Sequence, residues 1–273
     1  MALANHCRVG DLATLQAYCA QAAVTATQVR NARALSLVCE RGYLEIARWL
    51  QRTFQLTAAD VRAEDNCALR GACANGHLEV ARWLQRTFQL TAEDARAVNN
   101  YAFRTACTNG YLEVARWLQQ TFQLTAADAR ADDNWALWWA CAYGHLEIAR
   151  WMQRTFQLTA VDVRTGYNVA LQRACERGHL DVLRWLQRTW GIPPVALAAV
   201  ASGPMPAPCS AYLRGLRALC WSPRTHADFP LPSRRLALLL LLVYQRLACE
   251  PGPLPPLPPE LWHHLLSYLP AWQ

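Results

Sequence analysis

The chain has 273 residues, 53% of them hydrophobic and 17% charged, which excludes a disordered protein and allows a substantial buried core. Its formal net charge is +7, and all 27 basic residues are arginines. Arginine binds carboxylates and phosphates in a bidentate way, so the composition is compatible with acidic partners. A codon bias toward arginine is the alternative explanation of the same composition.

The N-terminal residues lack the basic and apolar regions of a signal peptide. The longest apolar run, Leu236 to Tyr244, is far shorter than the roughly 20 residues that a membrane helix needs. Eleven cysteines therefore do not indicate a secreted disulfide scaffold. We expect an intracellular, cytoplasmic protein with reduced thiols and no membrane contact.

Internal repeats determine the expected fold. A weak copy spans His6 to Leu12, and it keeps the apolar positions of the later copies, whereas Ala17 replaces their tryptophan. Five strong copies follow at intervals of 34 residues, marked by Gly42, Gly76, Gly110, Gly144 and Gly178. We predict a degenerate capping repeat over residues 1–31 and five repeats over residues 32–192.

Each unit is predicted to form two short helices. The first covers Asn66 to Cys73 and stops at Gly76, which can take the left-handed conformation that ends a helix. The second has Glu79 in its first turn and buries one face, formed by Leu78, Ala81, Leu84 and Phe88. Thr91 and Asp94 form a capping-box pattern that predicts a third helical turn. No strand pattern occurs, so the fold class is all-α.

The segment from Cys67 to Val80, CALRGACANGHLEV, resembles the ankyrin core T-P-L-H-x-A-A-x-x-G-H-x-E-V-V. The resemblance covers the units from Ala32 to Trp190 and is closest to the divergent ankyrin repeats of large DNA viruses of amoebae. It implies a solenoid of about six 34-residue helix–turn–helix units that binds a host or viral protein as a monomer in the host cytoplasm. F-Q-L-T-A-x-D-x-R replaces the usual Gly-Ala-Asp finger. Tetratricopeptide repeats share the period, but their W-x-x-L-G-x-x-Y pattern is absent.

No constellation of catalytic or metal-binding residues is found. Cysteines recur once per repeat, at Cys39, Cys73, Cys107, Cys141 and Cys175, which spreads them along the array instead of gathering four ligands at one point. His77, His145 and His179 alternate with tyrosines in one column, which indicates a structural role. Adjacent His263 and His264 point apart on a helix. We predict no enzyme, no cofactor and no metal.

The positions that vary between repeats lie on the first helix and resemble the inner-helix positions that face the groove of ankyrin proteins. Trp, Tyr and Arg dominate binding hot spots, so these positions are the expected partner contacts. The predicted binding residues are Arg70, Tyr101, Arg104, Trp135, Trp138, Trp139, Tyr143, Gln172 and Arg173. The alternative is that some of these tryptophans fill gaps between repeats.

Arginine also forms a column on the second helices, at Arg48, Arg82, Arg116, Arg150 and Arg184. Such a stripe could follow the phosphates of a nucleic acid or another polyanion. Each arginine also lies three residues after an acid, and that recurring pair favours a structural role. A nucleic-acid-binding array and a purely structural repeat protein stay as alternatives to protein binding.

After the repeats we predict a helical extension over residues 193–250, and a proline-rich spacer with a final helix over residues 251–273. The segment LPPELWHHLLSYL resembles the first helix of an F-box, which implies docking on the linker subunit of a cullin–RING ubiquitin ligase. The docking residues would be Leu257, Pro258, Leu261, Leu265, Leu266 and Leu269. The second and third F-box helices are missing. A suppressor-of-cytokine-signalling box, which has a proline-rich L-P-L-P before a short helix, is a weaker match, and the alternative is a helix that folds back onto the repeats.

Overall fold

A computed structural model describes residues 2–159, 162, 167–190 and 206–211. The chain divides into two compact units, Met1–Tyr212 and Leu213–Gln273, and all described residues belong to the first. Most of the predicted helical extension lies outside the described residues, and so do the whole spacer and the F-box-like helix. That helix contains the predicted docking residues Leu257, Pro258, Leu261, Leu265, Leu266 and Leu269. The predicted domain boundaries stay predictions.

The described residues contain helices and no strand, which confirms the all-α fold class. The helices are α1 (Ala2–Val9), α2 (Leu12–Gln21), α3 (Ala26–Asn31), α4 (Ala34–Glu40), α5 (Leu44–Phe54), α6 (Ala58–Ala74), α7 (Leu78–Phe88), α8 (Ala92–Thr108), α9 (Leu112–Phe122), α10 (Ala126–Ala129), α11 (Ala131–Ala142), α12 (Leu146–Thr155), α13 (Tyr167–Glu176) and α14 (Leu180–Trp190).

Six helix pairs stack side by side into a solenoid. The first helices α1, α4, α6, α8, α11 and α13 each contact the next one in this order. Each second helix packs on the first helix of its own pair, so the units form two layers. The weak N-terminal copy is therefore a full helix pair, and it stacks on the next unit like the others.

Helices α6 and α8 each contain two helical segments separated by a left-handed turn. Glu64, Asp65 and Asn66 have φ of 53°, 57° and 60°, and the equivalent residues of the next two units do the same. Asparagine tolerates this conformation better than most residues do. The segment before the turn is the predicted capping-box turn. The first helix itself begins one residue later than predicted, because Asn66 is part of the turn.

A glycine and an aromatic ring fix the turn between the two helices of each unit. Gly76 has φ of +79°, as its predicted helix-ending role requires. A Cβ atom at this position would lie 2.5 Å from ring atoms of Tyr111 in the next unit. The same contact joins Gly110 to His145. The histidine and tyrosine column thus covers the glycine of the preceding unit, which confirms its structural role.

The core is built from the same columns in every unit. The predicted cysteine column is buried throughout, and so are Ala81, Leu84 and Phe88 of α7. Val80 is buried as well, whereas Leu78 is only half-buried because it stands at the very start of the helix. Phe103 links two units, since its ring lies 5.8 Å from that of Phe156 in the next helix pair.

Candidate partner-binding face

Three aromatic side chains form a row along α11, and we call this row the aromatic strip: Trp135, Trp139 and Tyr143. They are spaced four residues apart, so they lie on one helix face. The ring centroids are 5.3 Å apart between the two tryptophans and 5.7 Å apart between Trp139 and Tyr143. Trp135 is 39% exposed and Tyr143 41%, and Trp139 between them is half-buried. Three members of the predicted aromatic cluster therefore form a continuous row that solvent reaches.

Cation–π contacts connect the strip to the preceding units. The guanidinium carbon of Arg104 lies 5.4 Å from the ring centroid of Trp135, and that of Arg70 lies 5.1 Å from the centroid of exposed Tyr101. Each contact joins an arginine of one first helix to a ring of the next. Such contacts help to orient the rings, and both rings remain more than a third exposed.

Two of the predicted binding residues need correction. Trp138 is only 7% exposed and Arg104 only 8%. Trp138 is three residues from Trp135 on a helix that is packed between neighbours, so its indole fills the space between units. Arg104 makes an ion pair with Asp132 and donates a hydrogen bond of 3.3 Å to the Val98 carbonyl oxygen. Both residues support the face without being available to a partner.

The other predicted residues reach the surface beside the strip. Gln172 and Arg173 are exposed on α13 and donate hydrogen bonds of 2.8 and 3.0 Å to the two carboxylate oxygens of Glu176. Arg177, which was not predicted, places its guanidinium carbon 4.0 Å from the ring centroid of Tyr143. It lies 34 residues after Tyr143, in a column that varies between repeats, and that signal was readable in the sequence.

The arginine column of the second helices is paired with acids. Arg48, Arg82, Arg116 and Arg150 lie 2.8, 3.0, 3.6 and 3.2 Å from Glu45, Glu79, Glu113 and Glu147, respectively. This confirms the predicted intrahelical pairs in four units. Because each pair is exposed, it contributes little to stability. The pairing also neutralises the positive stripe that a nucleic acid would need.

A second set of ion pairs joins successive units, and we call it the inter-unit ladder. Its pairs are Arg30–Asp60, Arg62–Asp94, Arg96–Asp128 and Arg130–Asp162. In each of them the guanidinium of one unit donates two hydrogen bonds to the carboxylate of the next. The capping-box aspartates were predicted, but their partners were missed. The repeated D-x-R pattern was the available signal.

The ladder aspartates are also held by their own capping threonines. Asp128 Oδ2 accepts hydrogen bonds of 2.8 Å from the Thr125 N–H and 3.0 Å from its hydroxyl. Burial raises the pKa of Asp128, but the hydrogen bonds from Arg96 and Thr125 outweigh it and lower that pKa to about 2. The carboxylate is therefore ionised at neutral pH.

The described part of the chain offers neither a metal site nor, at Cys141, a reactive thiol. No group of three or more histidine, cysteine or acidic side chains there could hold a metal ion. Burial raises the pKa of the Cys141 thiol to about 12, so this cysteine stays protonated and inert. None of the helices in the described ranges has the length and apolar character of a membrane span.

Comparison with known families identifies the repeats. Residues 103–194 match the family model for ankyrin repeats in three copies. Residues 103–194 are thus similar to ankyrin repeats, and the described part of the chain is an all-α solenoid of repeated helix pairs. Ankyrin repeats are generic protein–protein interaction modules and are typically non-enzymatic. No curated protein matches the chain.

Proposed function

We propose that this protein binds a partner protein on the exposed face of its first helices, centred on the aromatic strip. The observation that carries the proposal is the row of Trp135, Trp139 and Tyr143, two of which are about 40% exposed. Large aromatic side chains usually bury most of their surface, and Trp and Tyr are enriched among residues that dominate binding energy. Tyr101, Arg70, Gln172 and Arg173 form the rim.

Affinity capture from host cells with the full chain tests this proposal. The wild type is compared with Trp135→Ala/Trp139→Ala, and Arg82→Ala on a second helix serves as the control. We expect the double variant to lose a partner that the control retains, with a melting temperature within a few degrees of the wild type. If the double variant unfolds instead, the two indoles are core residues. If it captures the same proteins as the wild type, the strip is not the binding face.

We further propose an adaptor role, in which residues 257–270 recruit the linker subunit of a cullin–RING ubiquitin ligase while the repeats hold a target. The support is the F-box-like pattern LPPELWHHLLSYL, reached through the stiff spacer PGPLPPLPP. The resemblance of the repeats to the divergent ankyrin repeats of large DNA viruses of amoebae carries the proposals of a viral origin and of action in the host cytoplasm. Free thiols at all the described cysteines agree with a reducing compartment.

Deleting residues 257–273 tests the adaptor role. We expect the deletion to remove binding to the purified linker subunit while the target stays bound. Leu261→Asp/Leu265→Asp should act in the same way, because the new charges would have to be desolvated at the docking surface. If the full-length chain never binds the linker subunit, the F-box resemblance is accidental. If the deletion unfolds the repeats, the final helix is a cap.

Nucleic-acid binding is the competing function. A stripe that follows phosphates gives an affinity that falls steeply with rising salt. We expect no specific binding of nucleic acid at physiological salt, because the second-helix arginines are paired with glutamates. Tight binding with a strong salt dependence would replace the protein-binding proposal.

A further inference from the structure

The aromatic strip has charges of opposite sign at its two ends. At the Trp135 end the exposed carboxylate of Asp133 belongs to the left-handed turn that precedes the first helix. At the Tyr143 end the exposed guanidinium of Arg177 lies against the ring. From Trp135 to Tyr143 the strip extends over eight helical rises of about 1.5 Å each, or about 12 Å. A partner on this strip therefore meets a defined electrostatic direction.

Arg177 has donor capacity left for a partner. Stacking on Tyr143 uses the flat face of its guanidinium, which also donates a long hydrogen bond of 3.4 Å to the Ala142 carbonyl oxygen. The adjacent acid, Glu176 at the end of α13, is already bound by Gln172 and Arg173. Arg177 has no carboxylate partner among the described residues. A guanidinium that is oriented on a ring and lacks an acid is suited to bind a carboxylate.

Asp133 provides the opposite charge at the Trp135 end of the aromatic strip. Its neighbour Asp132 is paired with Arg104, whereas Asp133 is exposed and makes no ion pair within the described ranges. A basic partner side chain would meet it without displacing an existing contact. A cation is less suited to the Tyr143 end, because Arg177 already covers that ring and would repel it.

The strip is a single row of three rings. The preceding first helix carries Tyr101 and half-buried Thr105 at the positions equivalent to Trp135 and Trp139, and the next first helix carries exposed, polar Gln172 and Arg173. A single row of rings fits a linear segment better than a flat domain surface.

We infer that the aromatic strip selects a linear segment of a partner protein in which an apolar stretch separates a basic residue from an acidic one. The acidic residue faces Arg177, and the basic residue faces Asp133. This inference rests on the proposed function and adds to it the chemistry and direction of the partner.

Selection from a random peptide library displayed on phage, with the full chain as bait, tests the inference. Five baits are compared: the wild type, Trp135→Ala/Trp139→Ala, Arg177→Glu, Asp133→Arg, and the control Arg52→Glu. The control makes the same charge change as Arg177→Glu at an exposed position on α5, far along the chain from the strip. Selected peptides are then synthesised and their dissociation constants measured.

We expect wild type and control to enrich the same peptides, with an apolar core between a basic and an acidic residue. Arg177→Glu should weaken their binding about tenfold or more, the usual effect of losing a charge-assisted hydrogen bond. It should also enrich peptides whose acid is replaced by Lys or Arg. In the same way, selection with Asp133→Arg should enrich peptides in which Asp or Glu replaces the basic residue.

Unchanged peptides with both charge variants would overturn the inference. If these peptides are nevertheless lost with Trp135→Ala/Trp139→Ala, the proposed binding face stands and only its charge selectivity is wrong. If the wild type enriches no peptide beyond the double tryptophan variant, the inference is overturned together with the proposal that the strip takes linear segments.

Discussion

Replacing one ladder aspartate should weaken the contact between two units. In Asp128→Asn the side chain keeps its shape but loses the charge that Arg96 binds through two hydrogen bonds of 2.7 and 3.0 Å. The native pKa of about 2, against an ordinary value of 3.8, corresponds to about 2 kcal/mol of stabilisation at neutral pH. We expect Asp128→Asn to lower the free energy of unfolding by about 1–2 kcal/mol, since the amide keeps one acceptor for Thr125.

The same pair predicts a pH dependence with a definite sign. Because the pKa of Asp128 is lower in the folded state than in the unfolded chain, its contribution is complete above about pH 4. It is lost as the pH falls from about 4 towards 2, where the folded carboxyl takes up its proton. Hydrogen bonds from Arg130 lower the pKa of Asp162 to about 2 as well, so both carboxylates act in one window.

Urea unfolding followed by tryptophan fluorescence, at pH 7 and at steps down to pH 2.5, measures both effects. Glu79→Gln is the matched control, because it removes an arginine–carboxylate pair whose acid is exposed. We expect that control to change the free energy of unfolding by less than about 0.5 kcal/mol. Equal losses for the two variants, or an unchanged acid profile for Asp128→Asn, would refute the reasoning.

Three further substitutions or measurements test the packing. Gly110→Ala should lower the melting temperature by several degrees, because φ is +88° at this position and the new Cβ would lie 2.7 Å from Cε1 of His145. An unchanged melting temperature would show that the His145 ring moves freely. A thiol reagent at pH 8, with peptide mapping, should label half-buried Cys67 before Cys141, whose burial raises its pKa to about 12. Phe103→Ala should cost about 3–5 kcal/mol in urea unfolding by leaving a cavity, and a loss below 1 kcal/mol would contradict its place in the core.

Features that recur along the sequence were predictable, because a residue type that returns at the same position of every repeat indicates the same structural role in each. The period gave the helix pairs, the turn glycines such as Gly76 and the buried cysteine column. Contacts across units were harder to predict, because they depend on how two copies meet. Arg62 reaches Asp94 across 32 residues, and the repeated D-x-R pattern shows that both side chains recur without showing that those of successive units meet. Which side of α11 faces the core was equally hard to predict from the sequence, since Trp138 and Trp139 are adjacent in sequence but differ in burial.

The inter-unit ladder has a consequence for how such an array changes length. The D-x-R segments that begin at Asp60, Asp94 and Asp128 each carry both halves of the contact, an aspartate for the unit before and an arginine for the unit after. A duplicated or deleted block of 34 residues therefore regenerates a complete junction at each new boundary, without any compensating substitution. The gene can gain or lose repeats by recombination between copies and still encode a bonded stack. Residues on the binding face are then free to diverge in each new copy.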